Sequence, residues 1–218
     1  MQDNPRLGIA LMIATTVVFA VQDGISRYLA ENYNVITVVT IRYMFFMCFV
    51  LAYSSRQKGG IRQVASSDQL PLQIGRGLIL VAQICVAILS FSTVGLVNFH
   101  AVFASYPLMV MALSVPILGE AVGWRRWLAV CVGFCGVLLI LRPGTEMFSS
   151  TSILPVLAAF MMAIYGILTR YAARRDAAET SFFWTAMAGG IAMLCIGPFF
   201  WLPPVGVDWG WMGLLCLT

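Results

Sequence analysis

Asp23 and Arg42 are ionised side chains inside the first two long apolar stretches of the chain, where a charge is costly unless it is paired or lines water. If Leu7 to Leu29 forms one membrane helix, Asp23 lies six residues from its far end, ~9 Å at the helical rise per residue. Arg42 lies seven residues inside the next stretch, which starts near Val35 and runs back. Both groups fall roughly 10 Å below one face of the bilayer. Matched depth on antiparallel neighbours suits an ion pair around a polar cavity. An arginine stays charged at physiological pH, so Arg42 must find an anion, either Asp23 or a carboxylate or phosphate on a solute. Asp23 also precedes Arg27 by four residues, which puts the two on one helix face where they could pair locally.

Other polar side chains sit in apolar surroundings. Gln22 and Gly24 flank Asp23, adding polarity and a packing gap that a lipid-facing surface would not favour. Gln83 falls at about mid-membrane in the third apolar stretch, free to face a cavity or a neighbouring backbone carbonyl. Tyr106 precedes Pro107, whose missing N–H should free the Phe103 carbonyl and kink that helix. An aromatic beside a kink suits a substrate platform, with its ring turned toward the first three helices. Tyr165 lies near the midplane of a later stretch. Gln22, Asp23, Arg42, Gln83, Tyr106 and Tyr165 form the candidate substrate site, with no catalytic, cofactor or metal residues among them.

His100, the one histidine, reads as an interfacial loop residue before helix four. Glu120 reads as a loop-ordering partner of Arg125 and Arg126. Gly133, Gly136, Gly189 and Gly190 read as points of close helix approach. An intramembrane serine hydrolase would have to use Ser105 with His100, but a five-residue separation places them on different helix faces.

The elements that position these groups follow from composition. With 61% hydrophobic and 10% charged residues, the chain falls far from the roughly 25% charged composition of soluble domains. It reads as an all-α, polytopic membrane helix bundle. The net charge of +4 is almost wholly arginine, in loops rather than on one face, so the bilayer is the partner and nucleic acid is not. Cys48, Cys85, Cys131, Cys135, Cys195 and Cys216 all lie in apolar runs, where cysteine behaves as a small hydrophobe. Neither disulfides nor metal are expected.

Apolar windows predict spans at Leu7 to Leu29, Val35 to Tyr53, Ile74 to Leu96, Ala101 to Ile117, Trp124 to Leu141, Ile153 to Ala172 and Phe182 to Leu202, with an eighth starting near Trp209. Arg56, Lys58 and Arg62, then Arg125 and Arg126, then Arg174 and Arg175 mark alternate loops as cytoplasmic, with Arg142 the exception. The N-terminus is therefore expected in the cytoplasm. A shift of 143 residues lays Arg27 and Tyr28 on Arg170 and Tyr171, Leu11 on Leu154, Ala20 on Ala163, Thr37 on Thr180 and Gln22 on Tyr165. It moves helix one onto helix six across five crossings, so the second copy is inverted. The expected organisation is a first five-helix repeat over 1–144 and a truncated second repeat over 150–218, part of a ten-helix whole.

Tyr106-Pro107-Leu108, Leu118-Gly119-Glu120, Gly123-Trp124-Arg125-Arg126, then Gly133 and Gly136 before Leu141-Arg142-Pro143-Gly144 occur in an order and spacing that resembles the EamA-like branch of the drug/metabolite transporter superfamily. Phe19 to Arg27 resembles the family's polar break in helix one, with phenylalanine where tryptophan is usual, and Ile41-Arg42-Tyr43 resembles its aromatic-flanked arginine in helix two. The resemblance implies a secondary transporter of a small polar or aromatic metabolite in the bacterial inner membrane, working by alternating access, able to form a homodimer. A non-transporting receptor or assembly subunit is the competing class.

Overall fold

The computed structural model describes residues 5–57, 59–119, 123–141 and 153–217. Lys58, Glu120, Arg142, Pro143 and Gly144 lie outside them. Among the described residues ten α-helices follow one another: α1 (Pro5–Asn32), α2 (Val35–Ser55), the short α3 (Gly60–Ala65), α4 (Leu70–Val94), α5 (Leu96–Phe103), α6 (Tyr106–Leu118), α7 (Trp124–Leu141), α8 (Ile153–Ala172), α9 (Ala178–Ile196) and α10 (Asp208–Leu217). No strand occurs among the described residues. Among the described residues, five segments are long and apolar enough to cross a bilayer: Val35–Ser55, Leu70–Val94, Leu96–Leu118, Ile153–Ala172 and Ala178–Phe200. The windows expected at α1 and α7 are helical as well.

Local chemistry sets the boundaries. The Asn34 side chain accepts the Ile36 N–H at 3.0 Å and so caps α2. Pro71 occupies the first turn of α4, where its missing N–H has no intrahelical partner to lose. That start, four residues before the expected Ile74, brings Arg76 into the body of the helix. Gly95 separates α4 from α5 at φ 81°, a left-handed conformation that side-chain-bearing residues rarely adopt.

The expected single helix from Ala101 to Ile117 is two. α5 starts earlier, at Leu96, and ends at Phe103, and the chain turns through Ala104 and Ser105 before α6 restarts at Tyr106. Pro107 falls in the first turn of α6, and the Ser105 carbonyl accepts from both Leu108 and Met109 N–H. Proline therefore acts here as a helix starter rather than as a kink within a continuous helix.

α4 is the central element, packed against α8 and α9 most extensively and against α1, α2 and α5 on its other sides. α2 lies along α9, and α6 along α8. The largest core cluster joins Val39 and Tyr43 of α2, Val81, Ala87, Ile88 and Phe91 of α4, Phe99, Ala158 and Met193.

Small residues permit these approaches. A Cβ on Gly189 would lie 2.1 Å from the Tyr43 ring, and one on Gly77 would lie 2.8 Å from the Ala188 Cβ. Gly133 and Gly190 are similarly close to Leu108 and Met47, whereas Gly136 faces open space and provides no such approach. Gly189→Ala should therefore destabilise the protein by about 1–3 kcal/mol through overpacking against a buried ring, read as a lower thermal midpoint in detergent. Gly136→Ala should change it by less than about 0.5 kcal/mol. Equal effects at the two positions would contradict the packing described.

Candidate functional site

A cleft of about 330 Å³ opens between α1, α2, α4, α5 and α8. α1 contributes Phe19, Gln22, Asp23 and Ser26, α2 contributes Arg42, and α8 contributes Met162. One stripe of α4 (Leu80, Gln83, Ile84, Ala87, Ile88 and Phe91) forms a wall, at the spacing that places residues on a single helix face. α5 closes the cleft with Phe99, His100 and Phe103. A second space of about 410 Å³ adjoins it through Arg42, Leu80 and Ile84, and is walled by Tyr43, Phe45, Phe46, Phe49, Cys216 and Leu217. Both volumes suit a small metabolite.

Phe91 and Phe99 meet edge to face at 4.7 Å between ring centroids, and Phe99 stacks on Phe103 at 5.0 Å. The His100 imidazole is set into the same wall, 5.3 Å from Phe99 and 6.0 Å from Phe91. Phe91 and Phe99 are buried in this packing, and the half-buried Phe103 is the ring of the three that retains accessible surface.

The charges are partnered differently from the local pairings expected. His100 Nε2 lies 3.1 Å from Asp23 Oδ2, while Arg27 pairs with Glu31 at 2.8 Å. Because α5 starts at Leu96, His100 is a helical residue aimed into the cleft and not an interfacial loop residue. Asp23 and Arg42 share the cleft and feel each other electrostatically, but they form no direct ion pair. Arg42 makes no hydrogen bond or ion pair among the described residues, and it lines both spaces.

Gln22 and Gln83 also line the cleft, both nearly inaccessible, and the Gln22 Oε1 has no hydrogen-bond partner. Tyr106 is placed elsewhere. It stacks near Phe103 at 5.3 Å and packs on the cluster of Met109, Ala159 and Ala163, toward α8 rather than toward the first three helices. Ser105 is buried with its hydroxyl unpartnered and makes no bond to His100. Cys131 and Cys135 are exposed, and all six cysteines are free thiols.

Tyr165 belongs to a second polar cluster that the sequence reading did not contain. It centres on Arg76, which is 2% exposed and stands four residues before Leu80 on α4, ~6 Å along the helix. Its guanidinium donates to Thr185 Oγ1 at 2.8 Å, Gln73 Oε1 at 3.0 Å, Thr169 Oγ1 at 3.1 Å, the Tyr165 hydroxyl at 3.4 Å and the Ser181 carbonyl, and lies 5.3 Å from the Tyr165 ring centre. Every partner is neutral. The network ties α4 to α8 and α9 just beneath the cleft. The available signal was an arginine six residues after the start of a helix, visible only once the start is placed at Leu70.

Behind Arg76, the loop between α8 and α9 is held by Asp176. Its carboxylate accepts from Ser67 Oγ at 2.6 Å, Gln73 Nε2 at 2.7 Å and the Asp68 N–H at 3.2 Å. Partial burial alone would raise its pKa, but these donors, with the charge of Arg76 beyond them, outweigh it and hold Asp176 below the usual carboxylate range.

Apolar spanning helices around a cleft with a bare guanidinium and an aromatic wall define an integral membrane protein built to handle a small solute. Residues 6–142 match the model of the EamA-like transporter family, and the chain belongs to that family. It is thus a transporter-family protein and not an enzyme. Among curated relatives it is 26% identical over 201 residues to an S-adenosylmethionine uptake transporter of Rickettsia felis, covering 92% of this chain and 67% of that one. It is 23% identical to the protein of the same name in Rickettsia prowazekii, over 90% of this chain and 66% of that one. A riboflavin transporter of Vibrio cholerae is 27% identical over 180 residues, covering 81% and 60% of the two chains. The chain thus spans about two thirds of the length of these relatives or less. No solved structure matches it.

The depressed pKa of Asp176 has a signed consequence. A carboxylate whose folded-state value lies below its unfolded value stabilises the fold above the unfolded value, about pH 4. That stability is lost as pH falls through the folded value. Asp176→Asn should lower the thermal midpoint at neutral pH and flatten its decline in acid. A decline of unchanged steepness in the variant would exclude Asp176 as its source.

Proposed function

We propose that the protein is a secondary-active transporter that carries a small polar or aromatic metabolite across a bacterial inner membrane by alternating access, with its N-terminus in the cytoplasm. The observation that carries this reading is Arg42: a charge inside the bundle, lining a solute-sized cleft, with Asp23 turned to His100 instead of to it. A structural ion pair would have closed that gap, and a receptor or assembly subunit has no need to keep it. In the orientation expected from the arginine-rich loops, the cleft lies toward the periplasm. The Arg76 cluster then seals the cytoplasmic end.

Two inverted halves, 1–144 and 150–218, are part of the proposal, and the packing supports it. Exchanging the halves maps α2 against α9 onto itself, α4 against α8 onto α10 against α1, and α4 against α9 onto α10 against α2; all of these pairs pack. The loop contacts obey the same exchange. Tyr33, after α1, donates its hydroxyl to Asp208 at the start of α10, at 2.5 Å. Position 176, after α8, is 143 residues further on, and Asp176 grips Ser67 and Asp68 just before α4. Each half thereby holds the third helix of the other. Rocking of one half against the other about α2 and α9 would open one end as the other closes.

The relatives' names supply two solutes to try, S-adenosylmethionine and riboflavin. The full-length protein in proteoliposomes should accumulate a small polar or aromatic metabolite, and Arg42→Gln should cut uptake at least tenfold, about the effect of one lost charged hydrogen bond, in a protein whose thermal midpoint is retained. Undiminished uptake by Arg42→Gln would remove the arginine from the site, and absence of uptake across a metabolite panel would favour the receptor class.

A further inference from the structure

The charges around the cleft are unequally neutralised, and that imbalance selects among solutes. Asp23 is engaged by His100 at 3.1 Å. Arg42 is left with no hydrogen bond or ion pair among the described residues. Beneath the cleft floor, Arg76 touches only hydroxyls, an amide oxygen and a backbone carbonyl. The acid beyond it, Asp176, is hydrogen-bonded to Ser67, Gln73 and the Asp68 N–H and acts on Arg76 only at a distance, without an ion pair among the described residues. Two guanidinium groups therefore bracket the cleft, one open to it and one a helical turn below Leu80. In a water-poor interior such fixed charges act over longer distances than in solvent.

We propose, on the basis of the transport reading above, that the solute is an aromatic monoanion: its carboxylate pairs with Arg42, and its ring lies against the apolar lining at Phe19, Ile84 and Phe103. A guanidinium meets a carboxylate through two parallel hydrogen bonds. Apart from the Asp23–His100 pair, the remaining lining is apolar or neutral, so it adds no second guanidinium or ammonium to hold a further negative charge. A dianion such as a phosphate monoester is accordingly disfavoured relative to a carboxylate. A cation or a neutral ring would leave Arg42 unpaired on entry and add the loss of its water to the cost of binding.

Two acid and amide pairs test this by binding, without requiring transport: indole-3-acetate against indole-3-acetamide, and nicotinate against nicotinamide, titrated calorimetrically into the full-length protein in detergent near neutral pH. The acid of at least one pair should bind tighter than its amide by about tenfold or more, the effect of one hydrogen bond to a charged group. Arg42→Gln should erase the difference, and Arg42→Lys should retain part of it, since the charge remains but the fork is lost. Indole-3-phosphate-type monoesters such as indoxyl phosphate should bind more weakly than indole-3-acetate. Amides that bind as tightly as the acids, an acid preference that persists in Arg42→Gln, or no binding by any member would each overturn the proposal. Acid-selective binding with no solute entering proteoliposomes would instead defeat the transport reading and leave the anion site standing.

Discussion

The cost of holding a guanidinium in a water-poor helix bundle is the constraint on which this molecule turns. Arginine cannot shed its charge at physiological pH, so each arginine inside the bundle must be surrounded by acceptors or left facing water. Two arginines inside the bundle, the buried Arg76 and the half-buried Arg42, are treated in opposite ways. Arg76 is surrounded by acceptors drawn from α4, α8 and α9, which makes it a joint among three helices. Arg42 is left facing a cleft. One charge fastens the bundle, and the other leaves it chemically incomplete until something occupies the space.

Both outcomes depend on α4. Its buried stripe supplies Arg76, then the cleft wall from Leu80 to Phe91, so the joint and the wall are turns of one rigid rod. Gly77 lets that rod approach α9 closely enough for Thr185 and the Ser181 carbonyl to reach Arg76. At its other end the left-handed Gly95 reverses the chain into α5, which brings His100 to Asp23 and the three phenylalanines to one surface. Sequence features that read as packing details thus set the distances within the site. Any movement that opens the end near Arg76 has to break hydrogen bonds to α8 and α9 together, which favours two discrete arrangements over gradual deformation.

Much of the helical architecture was legible in the sequence because apolar windows of spanning length are hard to mistake. The family was legible too, through the ordered run from Tyr106 to Gly136. Helix ends were the weak point, and two site features were lost there. Starting the third window at Ile74 put Arg76 at an interface, where an arginine needs no partner, and starting the fourth at Ala101 left His100 outside the helix that aims it. The pairing of Asp23 with Arg27 followed from spacing on one helix, which carries no information about α5 crossing nearby. Tyr106 shows the reverse limit: a proline that begins a helix and one that bends it look alike in sequence, yet they turn the preceding ring to different neighbours.

The cleft reaches down to Leu80 from the α1–α5 side, and the Arg76 cluster lies a helical turn below it. A single cysteine at position 80, in an otherwise cysteine-free full-length protein in oriented membranes, tests it through reaction with a membrane-impermeant thiol reagent applied to one face at a time. Modification is expected from the periplasmic face alone, and from both faces once Arg76→Gln is added. Reaction from the cytoplasmic face alone in the parent, or a pattern unaffected by Arg76→Gln, would contradict it.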